Sequence, residues 1–153
     1  MTATMLAARR PPAADERREP AVKPRILVVD DEPSIRVSLD RYLVRRGHRV
    51  ETAAEGEEAL RAIERSATDP FDIIVSDLRM PGLSGEQLFR MLTERDASWE
   101  RRIIFITGDA ANPHALRIFA GSDVPVILKP FDLADLSSLV EELGEKSYAP
   151  GPA

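Results

Sequence analysis

Ile26-Leu27-Val28-Val29-Asp30-Asp31-Glu32-Pro33 runs four apolar residues straight into three carboxylates and a proline. A run with no polar alternation offers no face to water, so as a strand it must be covered by helices on both sides. Pro33 suits the first position of a helix, where its missing N–H costs nothing. From Ser34 to Arg46 the apolar residues Ile35, Leu39, Tyr42 and Leu43 recur at three- and four-residue spacing and form one stripe. Gly47 follows as a stop signal. The unit is strand, acidic turn, helix.

Working outward, the same alternation continues along the chain. Four further apolar runs, Val50 to Ala53, Phe71 to Val75, Ile103 to Ile106 and Val124 to Leu128, alternate with helical patterns over Glu57–Arg65, Gly85–Arg95, Pro113–Ala120 and Leu133–Leu143. Strands each followed by a helix predict a parallel sheet. The run at Val50 alternates with polar residues, which predicts an edge position. In the last helix Leu133, Leu136, Leu139, Val140 and Leu143 make the stripe, and Gly144 is expected to close it. Residues 1–24 are rich in Pro, Ala, Arg and Glu without periodicity and are expected to be disordered. Residues 145–153, broken by Pro150, Gly151 and Pro152, are expected to form a flexible tail. The folded domain predicted is 25–144.

Composition narrows the class. The 153 residues suffice for one domain with a core. With no cysteine, neither a disulfide framework nor a thiolate metal site is possible. No apolar run is long enough to span a bilayer and Met1 to Ala8 lacks a leader pattern, so a cytoplasmic protein without membrane contact is expected. The net charge of −5 is uneven: residues 25–144 carry 15 basic and 22 acidic groups, residues 1–24 five and three. An acidic body argues against nucleic-acid binding, which needs clustered Lys and Arg.

Open sheets of this kind bind ligands at the carboxyl ends of their strands. Those ends carry Asp30 and Asp31, Ser76 and Asp77, Thr107 before Gly108, and Lys129 before Pro130. Singly, each has an ordinary explanation. An Asp before Pro33 caps a helix, Asp77 serves the turn that Pro81 and Gly82 complete, Thr107 ends a strand, and Lys129 is a solvated charge. Together they say more. Three carboxylates on one rim repel unless a cation sits among them. Ligands that are oxygen only select a hard cation, and one that leaves room for waters and phosphate points to magnesium. A lysine and a hydroxyl across the site suit an anion. A metal on one side with Lys129 and Thr107 on the other describes a phosphoryl-binding site. His48 and His114 have no serine, cysteine or second ligand at useful spacing and are read as surface or local packing residues.

Four segments resemble, in order, the motifs of response-regulator receiver domains: Ile26 to Pro33, Asp77-Leu78-Arg79-Met80-Pro81-Gly82-Leu83-Ser84-Gly85, Ile106-Thr107-Gly108 and Leu128-Lys129-Pro130-Phe131. The likeness runs from about Arg25 to Gly144. It implies an α/β, flavodoxin-like (βα)5 fold, a doubly wound sheet of five parallel strands in the order 2-1-3-4-5. It also implies a phosphoacceptor switch rather than an enzyme. Asp77 would take a phosphoryl group from a phosphohistidine on a histidine kinase or histidine phosphotransfer protein. Magnesium would be bound by Asp31, Asp77 and the backbone carbonyl of Arg79, with Asp30 acting partly through water. Thr107 would hydrogen-bond the phosphoryl group and Lys129 would pair with it. A cis bond between Lys129 and Pro130 belongs to the same pattern, and kinase docking would fall near Pro33, Ile35, Val37, Pro130 and Phe131. As nothing after Gly144 could form an output domain, output is expected through an unidentified downstream protein or a phosphorelay.

Two departures qualify the likeness. Val126 stands where many receivers carry Tyr or Phe three residues before the lysine, so Thr107 is expected to shift with a weaker response, or one carried by packing around Ile118 and Phe119. Arg79 and Asp109 flank the site with opposite charges and are expected to pair across the phosphoryl group and prolong its life. Three other readings compete. A magnesium-dependent phosphohydrolase would use the same carboxylates, but the Asp-x-Asp turn of haloacid-dehalogenase-like phosphatases is absent at Asp77-Leu78-Arg79. A nucleotide or flavin binder would need a Gly-x-Gly-x-x-Gly or Walker-type loop, and none follows any strand. A receiver-like interaction module would not need the full acidic set.

Overall fold

The inner strands of the sheet are almost wholly buried because both faces of the sheet meet helices there. The computed structural model describes residues 23–108, 119 and 122–148. In chain order these form β1 (Arg25–Val29), α1 (Pro33–Arg45), β2 (Arg49–Ala53), α2 (Gly56–Arg65), β3 (Ile73–Asp77), α3 (Gly85–Arg95), a short 3-10 turn (Ala97–Arg101), β4 (Ile103–Thr107), β5 (Val126–Leu128) and α4 (Leu133–Tyr148). The sheet order is β2-β1-β3-β4-β5 with every pairing parallel. This is the flavodoxin-like order the motifs imply, and β2 is an edge strand as its alternation predicts. The helix expected over Pro113–Ala120, His114, Ile118, Asp109 and residues 1–22 and 149–153 lie outside the described residues.

Strand alternation splits the core in two. Leu27, Val29, Ile74, Ile103 and Phe105 pack with Ala59 and Ala62 of α2 and Leu88 and Leu92 of α3. Ile26, Val28, Ile73, Val75, Ile104 and Ile106 pack on the other face with Leu39 and Leu43 of α1 and Leu136, Val140 and Leu143 of α4. Burying one such Leu or Ile contributes about 1.5–3 kcal/mol.

The helix boundaries have local causes. Pro33 opens α1, and Gly47, at φ +98°, follows its end. The N-cap of α1 is Glu32, and neither it nor an aspartate caps the helix through a side chain. The α3 start is a capping box: Ser84 Oγ accepts from Gln87 N at 3.1 Å, and Ser84 N donates to Gln87 Oε1 at 2.9 Å.

One expectation fails. Gly144 does not close the last helix, which runs on to Tyr148. The glycine is there for space, because a Cβ on it would come within 2.5 Å of Pro24 Cγ. Pro24 is also bound to His48, whose Nδ1 lies 2.9 Å from the Pro24 carbonyl oxygen. His48 is buried, so it is a local packing residue, and burial holds its imidazole below the ordinary histidine range.

Candidate functional site

Register carries the polar strand ends to one rim. Val29 pairs with Ser76, Asp77 with Ile106, and Thr107 with Leu128. Asp30, Asp77, Thr107 and Lys129 therefore stand at successive strand ends across β1, β3, β4 and β5. The Asp30 N–H donates to the Ala53 carbonyl at 3.1 Å and the Lys129 N–H to the Thr107 carbonyl at 2.7 Å, so both neighbours extend the ladders by one residue. The Lys129–Pro130 peptide bond is cis.

The chain after Asp77 turns back tightly. Leu78 N donates to Ile106 O, and Gly85 N returns to Leu78 O at 3.0 Å. A Cβ on Gly85 would clash with the Asp77 carbonyl oxygen and lie 2.9 Å from Leu78 Cα. Only glycine allows α3 to start this close to the end of β3. The ring of Phe105 lines the same gap and stacks on Phe119 with centroids 4.7 Å apart. Val126, half-buried, packs against this cluster.

Asp30, Asp31 and Asp77 each present a carboxylate oxygen within 4.8 Å of the others. Asp30 and Thr107 are fully buried, Asp77 is buried, and Asp31 is exposed. Lys129 enters from β5, its Nζ 2.7 Å from Glu32 Oε1, 3.1 Å from Asp30 Oδ2 and 3.3 Å from Asp77 Oδ2. Asp30 Oδ1 accepts from Glu32 N at 2.8 Å, whereas Asp30 Oδ2, although close to the ammonium, receives no well-directed hydrogen bond. Arg79 is exposed, and its backbone N–H lies 3.3 Å from Asp77 Oδ1.

These contacts set the electrostatics. Burial first and the Asp30 charge second push the Asp77 carboxyl up to about 6, against the pull of Lys129 and the Arg79 N–H. Burial works against the Lys129 ammonium, but Glu32, Asp30 and the Asp77 charge outweigh it and hold the group above the ordinary lysine range. The rim has more negative charge than its one lysine can offset.

A divalent cation fits this deficit. The donor set is oxygen only, the three carboxylates already converge, and a buried carboxylate oxygen lacks a directed donor. Of the residues expected from sequence, the structure joins Asp30, Asp31, Asp77 and Lys129 directly. Thr107 is tied to Lys129 through the backbone. Glu32 was not singled out, though its place one residue past the acidic pair at a helix start was the available signal. Of the expected docking residues, Pro33, Val37 and Pro130 are exposed, while Ile35 and Phe131 are partly buried against the α1–α4 core.

Comparison with known proteins agrees with this geometry. The family described as response regulator receiver domain matches residues 26–141. The sensor kinase CckA of Brucella abortus is 36% identical over 121 residues, 79% of this chain and 12% of that protein. The response regulator receiver protein CpdR of the same organism is 35% identical over 122 residues, 78% of this chain and 95% of CpdR. A solved response regulator receiver protein from Pseudomonas putida superposes with a TM-score of 0.70 at 31% identity, covering 80% of this chain and 98% of that one. The fold and rim define a signalling receiver of the two-component kind. The chain belongs to the response regulator receiver domain family. It spans only 37% to 49% of the length of transcription regulators that it also matches.

Proposed function

We propose that this chain accepts a phosphoryl group on Asp77 in a magnesium-dependent reaction. The observation that carries the reading is the convergence of Asp30, Asp31 and Asp77 within 4.8 Å beside Lys129. Asp77 is the one aspartate of the three that touches Lys129 and also ends the central strand β3. A carboxylate oxygen of Asp77 attacks phosphorus, and the bond from phosphorus to the donor breaks, its electron pair leaving with the donor. When the donor is a phosphohistidine, the imidazole nitrogen keeps that pair. Phosphoryl transfer of this kind needs positioning and charge neutralisation more than covalent help from the protein.

Asp30, Asp31, Asp77 and the backbone carbonyl of Arg79 would hold the magnesium ion, which supplies positive charge against the phosphoryl oxygens when bound. Lys129 exchanges a carboxylate contact for a phosphoryl oxygen, and the Thr107 hydroxyl donates to another. The donor is a histidine kinase or a histidine phosphotransfer protein docking around Pro33, Val37 and Pro130. Output passes to a downstream protein or along a phosphorelay. With no helix among the described residues long and apolar enough to cross a membrane, a cytoplasmic location suits this partner.

Incubation with acetyl phosphate, with and without magnesium, tests the reading by intact mass. One added phosphoryl group per chain, requiring magnesium and absent from Asp77→Asn, is the expected result. Repeated turnover of phosphoesters with no adduct would point to a phosphohydrolase. No adduct and no turnover would point to an interaction module.

A further inference from the structure

Lys129 is held most closely by a carboxylate outside the cation-binding trio. Glu32 Oε1 lies 2.7 Å from Nζ, nearer than Asp30 at 3.1 Å or Asp77 at 3.3 Å. The backbone of Glu32 is fixed at the start of α1: its N–H donates to Asp30 Oδ1, and its carbonyl accepts from Ile35 and Arg36. Its side chain makes no cap bond and reaches instead to Lys129 across the mouth of the site. That side chain is 56% exposed, whereas those of Lys129 and Asp77 are 15% and 8% exposed. Of the groups in direct contact with the Lys129 ammonium, Glu32 is thus the most exposed.

Resting on the phosphoacceptor reading above, we infer that Glu32 is a specificity-determining residue that restrains phosphoryl acceptance and discriminates donors by charge. Two effects act together. The ammonium faces three carboxylates and hydrogen-bonds two of them, Glu32 and Asp77, so an incoming phosphoryl oxygen competes with these partners. Glu32 is the closest and the most solvated, and it is the partner released. Until release, its negative charge stands at the entrance and repels an anionic donor, an effect that salt screens. The penalty grows with the donor's charge. Acetyl phosphate is a dianion at neutral pH, and phosphoramidate carries a single net negative charge.

Second-order rates of Asp77 phosphorylation, measured with both donors in magnesium, test the inference. Glu32→Gln keeps the shape and removes the charge. It should raise the acetyl phosphate rate about tenfold and the phosphoramidate rate about threefold or less. Salt should narrow the difference between wild type and variant. Glu32→Asp keeps the charge and should hold the donor ratio near that of the wild type. Glu57→Gln, which makes the same change in net charge on α2, should leave the ratio unchanged. A residue that only stiffened the loop would move both rates together. Equal donor ratios in wild type and Glu32→Gln, with both proteins phosphorylated, would overturn the inference alone. An equal rise in Glu57→Gln would overturn it as well. Wild type that takes no phosphoryl group from either donor would overturn both the inference and the reading beneath it.

Discussion

The two ends of the sheet use the same residue types to opposite effect. At the amino end, carboxylates and guanidinium groups alternate. Asp69 lies between Arg49 at 2.6 Å and Arg25 at 3.9 Å, and Glu51 between Arg65 at 2.6 Å and Arg25 at 3.4 Å. The Arg49 hydrogen bond holds the Asp69 carboxyl below the usual carboxylate range. At the carboxyl end, Asp30, Glu32 and Asp77 face one ammonium with Asp31 beside them, and the Asp77 carboxyl is pushed up to about 6. The amino end is balanced and mostly solvated. The carboxyl end is unbalanced and partly buried, a state that costs stability and that a bound cation would offset.

The largest break in this contrast comes from Asp77→Asn. The variant should take no phosphoryl group and yet be more stable at neutral pH. The folded-state carboxyl titrates near 6, above its ordinary value, so the native state binds the proton more tightly than the unfolded chain. That advantage is complete below about pH 4 and is lost as pH rises through 6. Removing the charge should therefore stabilise the metal-free protein by about 2–3 kcal/mol at pH 7.5 and by little at pH 4. Urea denaturation of both proteins at the two pH values, in a metal chelator, measures it.

Gly85→Ala should come next, at about 2 kcal/mol of destabilisation, because the new methyl clashes with the Asp77 carbonyl and presses on Leu78. Its phosphorylation rate should fall as well, since the displaced atoms belong to the acceptor itself; a denaturation curve and a phosphorylation time course check the two effects.

Lys129→Ala removes the ammonium that touches Asp30, Glu32 and Asp77. It should cost about 1–2 kcal/mol at neutral pH without metal, with millimolar magnesium restoring part of the loss. Thermal unfolding with and without magnesium separates the two states.

The smallest effect belongs to the amino end. Arg65→Ala breaks an exposed pair with Glu51 and should cost less than about 1 kcal/mol while leaving phosphorylation at the wild-type rate. A large loss of phosphorylation there would erase the distinction between the two ends.

Much of this was legible in the sequence, because strand runs and acidic ends are local signals. Ile26 to Asp31 reads as a buried strand with a charged end, and the alternation around Val50 reads as an edge. Asp30, Asp31, Asp77, Thr107 and Lys129 are found by asking what stands at each strand end. What escaped depends on distant partners. Gly144 looks like a helix stop until Pro24, 120 residues earlier in the chain, is seen against it. Glu32 looks like a helix-start carboxylate until Lys129 arrives 97 residues later. Gly85 was legible within a motif, but its reason, the Asp77 carbonyl where a Cβ would sit, was not.

The central claim is that Asp77, among the carboxylates of the rim, is the group that accepts the phosphoryl group. Borohydride reduction of the protein phosphorylated in magnesium converts an aspartyl phosphate to homoserine, and peptide sequencing by mass spectrometry locates it. Homoserine at position 77, absent when magnesium is withheld, is the result expected here. Homoserine at position 30 or 31, or a phosphoryl group that resists borohydride, would contradict the account.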